Sequence, residues 1–79
     1  MNWNFRVVDI THENDGDPLL AVREVYYDET DKMIGYCEPC TVADDIGGMT
    51  WLIEQFNHAL TLPVIDGKTL EERTTNENV

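Results

Sequence analysis

The residues of this chain best suited to chemistry are Cys37-Glu38-Pro39-Cys40, two thiols three positions apart. Such a spacing serves either of two chemistries. As a redox pair, one thiolate is the nucleophile and a helix N-terminus lowers its pKa. As half of a zinc site, both thiolates ligate and two further ligands complete a tetrahedron. The only histidines are His12 and His58, so they are the only nitrogen ligands on offer.

Both chemistries depend on context. The redox motif of thioredoxin-like proteins follows a first strand and opens a helix directly. Here two strand-like runs come first, and Gly47-Gly48 separate the motif from the next helical pattern. Leu62-Pro63-Val64, ahead of Asp66-Gly67, is similar to the proline segment of glutaredoxins, yet only one helix fits between it and the motif. For zinc, His12 falls in a loop and His58 on a helix, and a single C-x-x-C is a weak signal. The plainer reading is that Cys37 and Cys40 pack at the edge of a strand and both histidines are solvated. The expectation is therefore no redox catalysis, no metal and no cofactor.

Other catalytic signatures are thin. Gly47-Gly48 lacks the following Lys-Ser or Lys-Thr of a phosphate loop. Paired acids such as Asp44-Asp45 lie in connecting sequence, and 79 residues enclose little volume in which a general acid or base can be tuned. The chain reads as a non-enzyme.

Charge narrows the partners. Sixteen carboxylates against five basic side chains leave a formal charge of -11. Direct contact with DNA, RNA or an anionic lipid surface is unfavourable at that charge. The acids either keep the protein dispersed or present negative charge to a basic partner. Met1-Asn2-Trp3-Asn4-Phe5-Arg6 lacks the basic and apolar segments of a signal peptide, and no apolar run is long enough for a membrane span, so a cytoplasmic protein is expected.

The elements that must position these residues follow from periodicity. Trp3 to Ile10, Leu19 to Asp28 and Met33 to Cys37 read as strands separated by turn-forming sequence. The spacing of Met49, Leu52, Ile53, Phe56, Ala59 and Leu60 predicts a helix from Met49 to Leu60, after a link from Glu38 to Gly48 in which Asp44-Asp45 favour a helix start. The expected fold is α+β: a three-stranded antiparallel meander with one C-terminal helix on one face, in the order β-β-β-α. A single domain of residues 1–66 is followed by a flexible acidic tail, 67–79. A trial register sets Ile10 opposite Leu20, Val8 opposite Val22 and Arg6 opposite Glu24, and in the second hairpin Tyr26 opposite Ile34 and Glu24 opposite Tyr36. It places Trp3, Phe5, Val7, Ala21, Val25 and Tyr27 on one face. Val8, Ile10, Leu20, Val22, Tyr26, Ile34 and Tyr36 fall on the other.

Trp3-Asn4-Phe5-Arg6-Val7, Glu24-Val25-Tyr26-Tyr27-Asp28 with Gly35 seven residues on, and Leu62-Pro63-Val64 after the helix together resemble a family of small uncharacterised bacterial proteins. The resemblance implies the same strand-strand-strand-helix layout and no known activity.

With two apolar sheet faces and one helix, one face is either covered by the 38–48 link and Val64-Ile65 or meets a protein partner or second copy. Trp51 stands off the helical core stripe, in line with Gln55, His58 and Leu62. It either seals the core over Gly47-Gly48 or forms a binding hot spot. Trp51, Gln55, His58, Leu62, Tyr26 and Tyr36 are thus the interaction candidates. The functional expectation is a small acidic non-catalytic protein that binds a protein partner through an apolar aromatic surface, with a homodimer through sheet face or helix as one form. The alternative is a nucleic-acid mimic that inhibits a host or phage-defence protein, of the anti-CRISPR type. Its acids would be those at 13, 15 and 17, at 28, 29 and 31, and at 38, 44 and 45.

Overall fold

In the computed structural model, which describes residues 2–73, five strands and one helix form an α+β fold. β1 (Asn2–Asp9), β2 (Leu20–Tyr27) and β3 (Met33–Cys37) make the expected antiparallel meander. α1 (Ile46–Ala59) follows, and then β4 (Ile65–Asp66) and β5 (Glu71–Glu72) extend the sheet. The strand order is β3-β2-β1-β4-β5, with β4 parallel to β1 and β5 antiparallel to β4. The sheet is therefore mixed and five-stranded, and the three-stranded meander is its larger part.

Within residues 67–73, expected to begin a tail, Glu71–Glu72 join the sheet as β5 and 67–70 form the turn that leads to it. Asp66 accepts from the Lys68 and Thr69 amides, and Leu70 turns the chain at a φ of 60°. The Arg73 amide then donates to the Val64 carbonyl at 2.8 Å. The remainder of the expected tail, 74–79, lies outside the described residues.

Both hairpin registers differ by one residue from the trial pairing. Arg6 stands opposite Arg23, Phe5 opposite Glu24 and Val8 opposite Ala21. Cys37, rather than Tyr36, faces Glu24, because the ladder is irregular between Tyr26 and Tyr27 and Ile34 is the extra residue. A one-residue slip moves a strand's side chains to the other face. Val25 and Tyr27 consequently join Val8 and Ile10, while Val22 and Tyr26 join Phe5. Packing decides the matter: Val8 and Val25 are fully buried in one cluster with Ile10 and Ile65.

The second cluster, Phe5, Leu52 and Ala59 with Val22, Met49 and Phe56, lies under the helix. Asp45 caps the helix, its Oδ1 accepting from the Gly48 amide at 2.8 Å. Gly47 and Gly48 therefore occupy the first turn instead of delaying it. A Cβ at Gly48 would stand 3.1 Å from that of Ala43, which explains a residue without one. Ile53 and Leu60, expected in the core stripe, are exposed; Leu52, Phe56 and Ala59 do the packing.

The face away from the helix is closed by the segment after α1. Arg6 is only 5% exposed, and its guanidinium donates to the Tyr27 hydroxyl at 3.1 Å, the Pro63 carbonyl at 2.7 Å and Glu72 Oε2 at 2.6 Å. Arg73 pairs with Asp9 beside it. Gly67 sits where a Cβ would be 2.6 Å from the Asp9 carbonyl oxygen and 2.9 Å from the Tyr36 hydroxyl. A shallow groove lined by Lys32, Met33, Leu70 and Glu72 remains between this strap and the start of β3. No helix among the described residues is long and apolar enough to cross a membrane.

Candidate interaction surface

Alternation along β1 puts Trp3 and Phe5 on the helix-bearing face, two residues apart. Phe5 is buried, and three aromatic rings stand edge-on around it: Trp3 at 5.2 Å, Phe56 at 4.9 Å and Trp51 at 6.5 Å between centroids. Edge-to-face pairs are each worth about 0.5–1.5 kcal/mol beyond area burial. They fix the two indoles in place while leaving Trp3 47% and Trp51 50% exposed. Trp51 thus leans toward Phe5 and keeps half its surface in water.

The line from Trp51 continues down one helix flank through half-buried Gln55 and exposed His58 to half-buried Leu62. The opposite flank carries Ile46, Ile53 and Leu60 at seven-residue spacing, with 52–80% of their surface exposed. Seven residues is close to two helical turns, so these three align. Neither Trp3 nor this aliphatic flank is among the interaction candidates read from the sequence. The seven-residue spacing was a signal for the flank, obscured because Ile53 and Leu60 also fit the core period.

The two tyrosine candidates separate. Tyr26 lies on the helix-bearing face, opposite Gly35. Tyr36 lies on the other face, packed against the Val8 cluster with its hydroxyl donating to Glu13. Burial, then that hydrogen bond, pushes the Tyr36 phenol up to about 12.

Around Tyr26 a polar group gathers that includes the Cys37 thiol and the Cys40 backbone amide. The Tyr26 hydroxyl is 3.0 Å from Glu24 Oε1 and 3.1 Å from Cys37 Sγ, and the other Glu24 oxygen accepts from the Cys40 amide at 3.0 Å. The hydrogen bond to Cys37, followed by that to Glu24, raises the Tyr26 pKa. Cys37 and Cys40 are unbridged and exposed. Glu24 thereby ties the C-x-x-C segment to the sheet through a side chain and a backbone amide. His12 and His58 are in the first connection and near the helix end, and no group of three or more potential metal ligands occurs among the described residues.

Comparison with protein-family models, curated proteins and solved structures returns no match. The resemblance drawn from Trp3–Val7, from Glu24–Asp28 with Gly35, and from Leu62-Pro63-Val64 rests on those residues alone.

Several acids have local duties. Asp28 accepts from the amides of Thr30 and Lys32 and from the Thr30 hydroxyl, Asp45 caps α1, and Glu72 holds Arg6. The acids at 13, 15 and 17 lie in the β1–β2 connection and those at 28, 29 and 31 in the β2–β3 turn. Eight-residue β2 separates the two groups by about 25 Å.

Proposed function

We propose that this protein is a non-catalytic interaction module that binds a protein partner through the aromatic flank centred on Trp3 and Trp51. The observation that carries the reading is the pair of half-exposed indoles pinned edge-on to buried Phe5. Rigid aromatic side chains bury large area at low entropic cost, and tryptophan is enriched in binding hot spots. Gln55, His58 and Leu62 extend the same flank. The six candidates read from the sequence do not act as one surface in this reading, since Tyr36 faces the other way and Tyr26 belongs to the Cys37 group.

The alternative, nucleic-acid mimicry, draws on the net charge of -11. A mimic needs carboxylates in a row at phosphate spacing, and its affinity falls steeply with salt. The separation of the acids at 13, 15 and 17 from those at 28, 29 and 31 by the length of β2 favours the aromatic reading.

Affinity capture at two salt concentrations, with wild type and Trp51→Ala, tests both. The aromatic reading expects a partner retained at high salt and lost with Trp51→Ala. Capture that vanishes with salt and ignores Trp51→Ala rejects it in favour of mimicry.

A further inference from the structure

The sheet ends in two edges, β3 and β5, and among the described residues no strand pairs with the far side of either. Both edges line one groove. Asp31, Lys32 and Met33 form one wall, and Leu70, Glu71 and Glu72 form the other. Its volume of about 560 Å³ falls within the ~300–1,000 Å³ of ligand sites.

Bonded and non-bonded pairs alternate along an antiparallel ladder, which shows what each wall offers. On the β3 side the Asp28 amide donates to the Lys32 carbonyl, and the Lys32 amide to Asp28 Oδ1, so both backbone groups of Lys32 turn inward. Met33, opposite Tyr27 and ahead of the irregularity at Ile34, therefore turns its N–H and C=O away from β2. On the β5 side the Arg73 amide donates to the Val64 carbonyl. Glu72, one residue earlier and opposite Ile65, therefore turns its N–H and C=O away from β4. Each wall thus presents one outward donor and one outward acceptor.

We propose that this groove takes an extended basic peptide of another protein as an added strand between β3 and β5. β3 runs parallel to β1 and β5 antiparallel to it, so the inserted strand is antiparallel to one edge and parallel to the other. Main-chain bonds to Met33 and Glu72 supply affinity, as in strand addition generally. Charge selects the occupant. Arg6 neutralises Glu72, which leaves Asp31 and Glu71 against Lys32 on a chain of net charge -11. Asp31 and Glu71 have no ion-pair partner among the described residues. Half-buried Met33 and Leu70 receive an apolar side chain between these charges. A peptide that alternates apolar and basic residues meets both requirements. The chain's own residues 74–79 carry Glu77 and no cation, so they do not match. The groove shares no residue with the Trp3–Trp51 flank.

A fluorescein-labelled peptide of four Lys-Val repeats is the probe, titrated with the full chain to about 1 mM by anisotropy. Saturable binding is expected, with added protection of the Met33 and Glu72 amides from hydrogen exchange. A Glu-Val peptide of the same length should not bind. N-methylation of the Lys-Val peptide at alternate residues removes donors to one edge and should weaken binding about tenfold. Glu71→Lys should weaken it by about the same factor, and Trp51→Ala should leave it unchanged. Absence of binding by the Lys-Val peptide overturns the proposal. Equal binding of the N-methylated peptide, or Met33 and Glu72 amides that gain no protection, also overturns it and reduces the contact to general attraction between a basic peptide and an acidic surface. Binding lost with Trp51→Ala overturns it too, and transfers the peptide to the aromatic flank.

Discussion

Replacing Glu72 by alanine should destabilise this fold more than replacing its buried partner Arg6 by methionine. The Arg6 guanidinium lies in an almost closed site, with Tyr27 and Pro63 as neutral acceptors, Glu72 as the counter-ion and Nε without a partner among the described residues. Breaking a fully buried ion pair from one side costs about 3–5 kcal/mol, because a charge is left behind. The Glu72 side chain is 49% exposed, so water replaces part of what it provides and the cost halves to roughly 1.5–2.5 kcal/mol. Arg6→Met removes the buried cation itself. Exchange of a buried charge for an apolar side chain of similar volume is often neutral, and the orphaned Pro63 carbonyl adds about 1 kcal/mol. Tyr27 keeps its bond to Asn4 Oδ1 at 2.8 Å. In urea melts followed by tryptophan fluorescence, Glu72→Ala should therefore fall below Arg6→Met. A loss of about 2 kcal/mol lowers Tm by roughly 8–16 °C in a domain of this size. The double variant should match Arg6→Met alone, since Glu72 has nothing left to neutralise. Glu72→Ala within about 0.5 kcal/mol of wild type, or Arg6→Met costing more than Glu72→Ala, would refute the reasoning.

Gly67→Ala should cost about 1–3 kcal/mol in thermal unfolding, because its Cβ meets the Asp9 carbonyl and the Tyr36 hydroxyl; a neutral result would show that β4 can shift freely. Asp45→Ala should cost about 1 kcal/mol and lower helicity by circular dichroism, through loss of the cap on the Gly48 amide. Hydrogen bonds from the Thr30 hydroxyl and then from the Lys32 and Thr30 amides hold the Asp28 carboxyl below its ordinary range. Its contribution is thus complete above the unfolded value of about 4 and lost as pH falls through the lower folded value, so Asp28→Asn should flatten the acid limb of stability against pH. For Tyr36 the sign reverses: its raised pKa contributes fully below about 10 and is lost as pH climbs toward 12. Tyrosinate absorbance should accordingly show late ionisation that Glu13→Gln advances.

The three long strands and the helix were legible in period and turn chemistry, since each carries an alternation of two or of about 3.6 residues. Strands β4 and β5 were not. Two residues cannot display a period, and Glu71-Glu72 resembles solvated tail until Arg6, 66 residues away in sequence from Glu72, is seen to have no other counter-ion among the described residues. The register escaped for a related reason. Pairing Arg6 with Glu24 looked favourable as local electrostatics, but burial of Val8 with Val25 outweighs a surface charge pair. Trp51 could be placed off the core stripe from spacing alone. Its grouping with Trp3 required the fold, because only the crossing of α1 over β1 brings residues 3 and 51 to the same phenyl ring.

The parallel pairing of β4 with β1 also sets a timetable for synthesis. Arg6 leaves the ribosome long before its counter-ion exists: at about 5–20 residues per second, the 66 positions to Glu72 take roughly 3–13 s. Through that interval the nascent meander can form its hairpins, yet the side of β1 that later receives β4 is an open edge. The valine-rich face around Val8 and Val25 likewise waits for its cover. The early chain is therefore sticky on one surface, and mutual repulsion among the acids already translated opposes contact between neighbouring nascent chains on one message.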